Sequence, residues 1–131
     1  MNLTEQIAKQ LRGVYFGGNW TSVNLKETLA DVTWRQAIIK VYTFNTIAVL
    51  VYHMNYYVSA VLEVLQGESL NAHDKYSFDH SPVLSREDRE TFSDEKYGNY
   101  YRNIHGIIEH MHYHLGQIVL IKKILLQANE K

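Results

Sequence analysis

Two histidines one helical turn apart, His110 and His114, carry the clearest chemical signal in this sequence. Side chains four residues apart lie on one face of an α-helix with their Cβ atoms ~6 Å apart, so this pair can bind one metal ion if a third ligand comes from elsewhere. The same face carries the apolar residues Ile107, Tyr113, Ile118 and Ile121. The pair is therefore predicted to point into packed protein, where a metal would supply the partners that buried imidazoles need.

The predicted third ligand is His53, in the middle of an apolar segment. Its neighbours on the same predicted helix face are Thr46, Val49, Leu50, Tyr56, Tyr57 and Ala60. A lone histidine in such surroundings is more often a hydrogen-bonded core residue than a ligand, but a second long helix with an inward histidine pair reverses that preference. Three histidines and an open position are typical of a catalytic zinc site. Imidazole also suits nickel, copper and iron, so we expect a divalent metal, with zinc or nickel favoured.

Such a centre could activate a water molecule or a thiol. A metal held by three neutral imidazoles keeps its charge, and it can lower the pKa of bound water toward ~7 or ionise a thiol. The candidate substrate-binding residues are Tyr56, Tyr57, Tyr113 and Gln117. For the tyrosines, an ordinary place in the helical core with a hydrogen-bonded hydroxyl is an equally good interpretation. The sequence offers no general base, because Glu109 faces away and Glu63 lies about three turns from His53.

The remaining histidines fit a structural role better than a ligand role. His105, Glu109 and His112 form a separate polar stripe on the far side of the last helix, with a His105–Glu109 pair expected at i, i+4. His73 and His80 lie in a polar connector, where histidines are usually solvated.

Composition excludes several classes of function. The chain has 131 residues, no cysteine and a net charge of −1, so it offers one domain (1–131), no disulfide or thiolate site, and no basic surface for nucleic acid or anionic lipid. The apolar stretch Val41–Tyr52 is shorter than the ~20 residues that cross a bilayer. No secretory signal is visible in Met1–Arg12. We expect a cytoplasmic protein that does not bind membranes.

The hydrophobic periodicity predicts an all-α protein. We expect an N-terminal helix over about 3–16, a short helical turn over 24–29, and long helices over about 33–66 and 99–127. Thr33 and Gln36 form a capping box for the first long helix, and Gly67 is its predicted C-cap. The polar segment 68–98 offers only a shortened helix over about 85–95.

Self-association is predicted from the long helix over 33–66, which is about 50 Å long and apolar nearly all round. It presents apolar side chains on several faces, among them Ile38, Val41, Tyr42, Val49, Tyr52 and Val64. The other helices cover about two of those faces. A second copy of the chain can cover the rest, so a homodimer is expected.

The sequence resembles the DinB/YfiT-like superfamily of small helical metalloenzymes over most of its length. The resemblance is carried by Gly17-Gly-Asn-Trp20, by Leu29-Ala-Asp-Val-Thr33, by Leu50-Val-Tyr-His53 and by Gly106-Ile-Ile-Glu-His-Met-His-Tyr-His-Leu-Gly-Gln-Ile118. The last of these matches the family pattern H-x-x-Y-H-x-G-Q-I position by position. The resemblance implies a DinB-like helical bundle, with the family's metal triad on His53, His110 and His114.

The sequence departs from the family at the third bundle helix, which is missing or shortened where residues 85–95 stand. This puts a closed monomeric bundle and any substrate pocket against that helix in question. Characterised relatives include thiol-dependent S-transferases and an isomerase that uses low-molecular-weight thiols. The resemblance therefore implies a metal-dependent enzyme with a small-molecule substrate or thiol cosubstrate. The alternative is a non-catalytic or degenerate metal-binding protein that acts as a dimeric binding or stress protein.

Overall fold

The computed structural model describes residues 1–78 and 100–129, without the side chains of residues 100–103. Within these ranges the chain is all-helical and contains no strand. Six helices follow one another: α1 Leu3–Phe16, α2 Leu25–Leu29, α3 Trp34–Ala37, α4 Ile47–Leu65, α5 Asp74–Ser77 and α6 Tyr100–Asn129. The predicted all-α class is confirmed for this part of the chain. The predicted short helix over 85–95 lies outside the described residues.

Helix α1 has the bounds that the sequence predicts, and its ends show why. Asn2 caps its N-terminus by accepting a hydrogen bond from the Glu5 amide at 2.9 Å, and the Glu5 carboxylate accepts one from the Asn2 amide. This reciprocal capping box satisfies two amides that have no partner within the helix. Gly17 ends the helix at φ +100°, a conformation that residues with a side chain rarely adopt.

The predicted continuous helix over 33–66 is wrong, because the structure divides it into α3 and α4 with residues 38–46 between them. The Thr33–Gln36 capping box is present as predicted, but it starts only one turn of helix. Thr46 then caps a new helix by accepting from the Val49 amide at 3.2 Å. Between these points Tyr42 lies at φ +49°, a left-handed conformation that cannot continue an α-helix. The β-branched residues of this stretch weaken helix propensity, and the Thr46 cap offers the backbone an alternative start.

This division places Val41 in the core and shortens the helix that motivated the predicted dimer. Val41 is 7 % exposed, whereas Ile38 and Tyr42 are 59 % and 77 % exposed. Helix α4 spans about 28 Å rather than about 50 Å. It ends at Leu65 with Gln66 as its C-cap, one residue before the predicted C-cap Gly67, which has φ +90°. By length and composition alone α4 could cross a membrane, but an apolar core helix meets the same test, so this is weak evidence.

The core lies where α1 and α4 pack on α6. Helix α6 runs slightly beyond the predicted 99–127 on its C-terminal side, to Asn129. The fully buried side chains from the three helices include Val14, Ile47, Met54, Met111, Leu115, Ile118 and Ile121. Lys122 joins α6 to α2 and the residues after it by donating to the Thr28 carbonyl at 3.0 Å and pairing with Asp31. The contact between α4 and α6 holds the three histidines predicted as metal ligands.

Candidate metal centre

The three predicted ligands come together between α4 and α6. The Nε2 atom of His110 lies 2.9 Å from Nε2 of His53 and 3.0 Å from Nε2 of His114. All three ligand atoms lie within 4.8 Å of one another, and no other group of three or more metal-ligating side chains does so in the described part of the chain. His53 and His114 are 4 % and 7 % exposed, and His110 is half-buried. The centre therefore has an accessible side at His110 and could hold a metal ion.

Ser77 orients the His53 ring from the side opposite this convergence point. Its hydroxyl is fully buried and donates to the Asp74 carbonyl at 2.7 Å, so its oxygen is left to accept from His53 Nδ1 at 2.9 Å. A proton on Nδ1 leaves Nε2 with a free lone pair. This is the tautomer that a metal ligand needs when the metal binds Nε2.

Gln117 plays the same part for His114. Its Oε1 atom lies 2.6 Å from His114 Nδ1, and a carbonyl oxygen can only accept, so Nδ1 carries the proton and Nε2 is again unprotonated. The two residues are three apart on α6, so the helix itself sets the geometry. Gln117 is thus a support of the ligand, although its predicted role was to bind substrate.

A count of protons shows that these residues fit a metal ion. Ser77 and Gln117 leave lone pairs on Nε2 of His53 and of His114, and both point at Nε2 of His110. If His110 Nε2 carries a proton, it can donate to only one of these two nitrogens. The lone pair of the other nitrogen then has no hydrogen-bond donor. A cation at the convergence point would satisfy all three nitrogens. Tetrahedral zinc with Zn–N of about 2.1 Å separates its ligands by about 3.4 Å. The two Nε2 separations from His110, 2.9 and 3.0 Å, lie within about half an ångström of that value.

Burial keeps the centre in the neutral, ligand-competent form. Desolvation, followed by the neighbouring His114 and His53, lowers the pKa of His110 to about 4. Desolvation, followed by the nearby His114, also lowers the pKa of His53. Protons therefore compete weakly with a metal for these nitrogens at neutral pH.

The three tyrosines predicted to bind substrate differ in their contacts and exposure. Tyr57 lies against the centre, with its ring edge-on to His53 at 5.2 Å and to His110 at 5.3 Å between centroids. Tyr56 accepts from the His73 amide at 2.9 Å and so fastens the chain before α5. Tyr113 is 65 % exposed beside the His114 ring. The rings of Tyr57 and Tyr113 therefore contact triad rings, whereas Tyr56 is a structural support.

The other histidines lie apart from the triad. The expected His105–Glu109 pair is present, with 3.4 Å between Nδ1 and the carboxylate. His112 is half-buried on another face of α6, and desolvation lowers its pKa. His73 precedes α5 and packs edge-on to Tyr76 at 5.7 Å. His80 lies outside the described residues.

Sequence reasoning missed the segment that covers His53. Besides Ser77, this segment supplies Phe78, whose ring stacks on the His53 ring at 4.0 Å and 12°, and Asp74, whose carboxylate accepts from the Tyr57 hydroxyl. Comparisons of the chain with models of protein families, with curated proteins and with solved structures found no significant match. The geometry of the centre is therefore the ground on which a function can be proposed.

Proposed function

We propose that this protein is a metal-dependent enzyme of the DinB-like type, a thiol-dependent S-transferase or a hydrolase, that uses a three-histidine centre. The observation that carries the proposal is the convergence of three Nε2 atoms, two of them fixed as unprotonated by Ser77 and Gln117. Hydrogen bonds of this kind to the outer nitrogen are the usual companions of metal-ligating histidines.

The site suits catalysis better than a purely structural metal. Three protein ligands leave coordination positions open, whereas structural zinc sites use four. A bound ion would act as a Lewis acid that ionises a thiol or water molecule and polarises its reaction partner. Around it, His110 is only half-buried and Tyr113 is exposed, so a small molecule can approach. Tyr57 would then border the substrate, while Phe78 shields His53.

Metal binding is tested on chain purified without an affinity tag, because a histidine tag would bind the same ions. We expect one zinc or nickel ion per chain by calorimetric titration. Removal of His53 or of His114 by substitution with alanine should weaken binding by at least about 100-fold, since even supporting residues contribute 10- to 100-fold. The matched control is His105→Ala, which removes an imidazole from α6 outside the triad and should leave the affinity unchanged.

The class of substrate is tested by thermal unfolding of the metal-loaded chain with small thiols. A ligand that binds only the folded state raises the unfolding temperature, and the stabilisation grows with the logarithm of 1 + [L]/Kd. We expect low-molecular-weight thiols to stabilise the loaded chain and not the His114→Ala variant. Equal affinity of wild type and the triad variants for metal would refute the metal centre itself.

A second function, that of a non-catalytic dimeric binding protein, is favoured by the apolar surface around residues 34–42. Trp34, Ile38 and Tyr42 are 70 %, 59 % and 77 % exposed. All three lie within nine residues of the sequence, and a concentration of large exposed apolar side chains is typical of interaction sites. Sedimentation at micromolar concentration should show a dimer that Ile38→Lys dissociates. A wild-type monomer under these conditions would count against the self-association.

A further inference from the structure

One carboxylate, that of Asp74, lies beside the candidate metal centre without belonging to it. The Tyr57 hydroxyl joins its carboxylate to the centre, because the Tyr57 ring lies 5.2 Å from the His53 ring and 5.3 Å from the His110 ring. Asp74 is nevertheless not among the side chains whose ligand atoms gather within 4.8 Å. Asp74 therefore stands next to the ligands rather than among them.

The two acids considered from sequence alone are not placed for such a role. Glu109 is paired with His105 on another face of α6. Glu63 lines a separate cleft with Glu68 beyond the end of α4. Asp74 comes from the polar connector, where no periodic pattern marks it.

Tyr57 holds the Asp74 carboxylate in place. The Tyr57 hydroxyl donates to Oδ1 of Asp74, and the Tyr57 ring lies edge-on to two of the triad rings. The Asp74 backbone carbonyl also accepts from Ser77, the residue that orients His53. No other side chain in the described ranges donates to the second oxygen, Oδ2, and the residue is exposed. Asp74 thus has one oxygen fixed and one oxygen available beside the centre.

We propose that Asp74 is the general base of the centre and that Tyr57 is the residue that positions it. This inference rests on the proposed metal-dependent function. A carboxylate that is not a ligand but stands beside the metal is the arrangement by which zinc hydrolases and deaminases remove a proton from the attacking molecule. Here the attacking molecule is a small thiol or water.

The step balances within the site. The S–H bond of the thiol breaks, its electron pair stays on sulfur, and the proton moves to Oδ2 of Asp74. The proton then leaves to solvent, which reaches the exposed carboxylate. No oxidant or second reactant is needed.

The experiment follows the uptake of a thiol rather than a catalytic turnover. The chain is loaded with Co²⁺, which reports a sulfur ligand through a charge-transfer absorption, and is mixed with 2-mercaptoethanol at pH 7 by stopped flow. At this pH the thiol is protonated, so its ligation requires a proton acceptor. A positioned general base contributes at least about 100-fold to such a step.

Asp74→Asn should slow thiol ligation by about 100-fold and leave Co²⁺ affinity within about tenfold of wild type, because an exposed charge acts weakly through water. The matched control is Glu109→Gln, which removes a carboxylate next to the ligand His110 in sequence and should leave the rate of thiol ligation unchanged. Tyr57→Phe keeps the ring but removes the hydroxyl, and should slow ligation by about fivefold. The double variant of Asp74 and Tyr57 should be no slower than Asp74→Asn alone, because the hydroxyl acts through the carboxylate.

Two kinds of failure are distinguishable. If Asp74→Asn binds Co²⁺ and takes up the thiol at the wild-type rate, or if the loaded wild type takes up no thiol, the base assignment is overturned while the metal centre stands. If wild type binds no Co²⁺, the proposed function is overturned and the base assignment with it. Additive losses in the double variant would overturn the positioning role of Tyr57, because a merely structural tyrosine would act independently.

Discussion

Replacing Ser77 by alanine tests the link between the segment over His53 and the metal centre. The substitution removes one oxygen from a fully buried position and leaves His53 Nδ1 without its acceptor at 2.9 Å. The ring is itself 4 % exposed, so water does not readily replace the lost partner. Without that acceptor, the tautomer with the proton on Nε2 is no longer disfavoured, and this tautomer cannot bind a metal through Nε2.

The magnitude follows from two effects. Leaving a buried donor unsatisfied costs about 1–3 kcal/mol of folding free energy. Loss of a supporting hydrogen bond to a ligating histidine weakens metal binding by about 10- to 100-fold, which corresponds to about 1.4–2.7 kcal/mol. We therefore expect Ser77→Ala to lower both the stability of the metal-free chain and its affinity for zinc, each by these amounts.

Urea unfolding measures the first effect and calorimetric titration with zinc measures the second. The control is Ser59→Ala, the same chemical change at an exposed position on α4, which should shift stability by less than about 0.5 kcal/mol. An unchanged zinc affinity in Ser77→Ala, with stability reduced as expected, would refute the claim that Ser77 selects the ligating tautomer.

Three further outcomes are expected. Met54→Ala, a truncation of a fully buried side chain beside His53, should cost about 2–5 kcal/mol in urea unfolding, whereas Leu62→Ala, 53 % exposed, should cost far less. Thr46→Ala removes the cap of α4 and should cost about 1 kcal/mol, with helix content by circular dichroism largely retained. Desolvation, followed by the neighbouring His114 and His53, lowers the pKa of His110 to about 4 in the folded chain, so the unfolded chain takes up that proton at a higher pH. Stability of the metal-free chain should be full above pH 6.5 and should fall as the pH drops toward 4, as followed by urea titrations.

The triad was predictable because its geometry is local. His110 and His114 are fixed relative to each other by a single helix, and His53 lies within an apolar segment that any helical fold must bury. To bring the three histidines together, it was then enough that α4 and α6 form and that they pack on each other. The bounds of α1 were equally local, since Asn2, Glu5 and Gly17 mark both ends.

The interval between α3 and α4 was not predictable from periodicity, because residues 38–46 carry apolar side chains at helix-like spacing. Helix α3 ends because burial of side chains competes with continuation of the helix, and the periodic pattern does not show this competition. Val41 is buried in the observed interval, where Tyr42 has a left-handed conformation, and Thr46 offers a cap for the restart. Tertiary burial therefore overrides a periodic pattern whose helix propensity is weak at Ile38, Ile39 and Val41.

The groups that support the triad escaped sequence reasoning for a different reason. Ser77, Phe78 and Asp74 lie more than twenty residues after or before the ligands they serve, in a connector of polar composition, and they act through single atoms rather than through a repeating face. Only Gln117 had a local signal, three residues after His114, and the role expected for it was a different one. When spacing identifies a histidine as a buried metal ligand, a hydrogen-bond partner for its second ring nitrogen can also be expected, because a buried imidazole nitrogen needs one. Which residue provides that partner depends on where a non-periodic segment crosses the site, and here that segment supplies both the hydroxyl that orients His53 and the carboxylate proposed as the base.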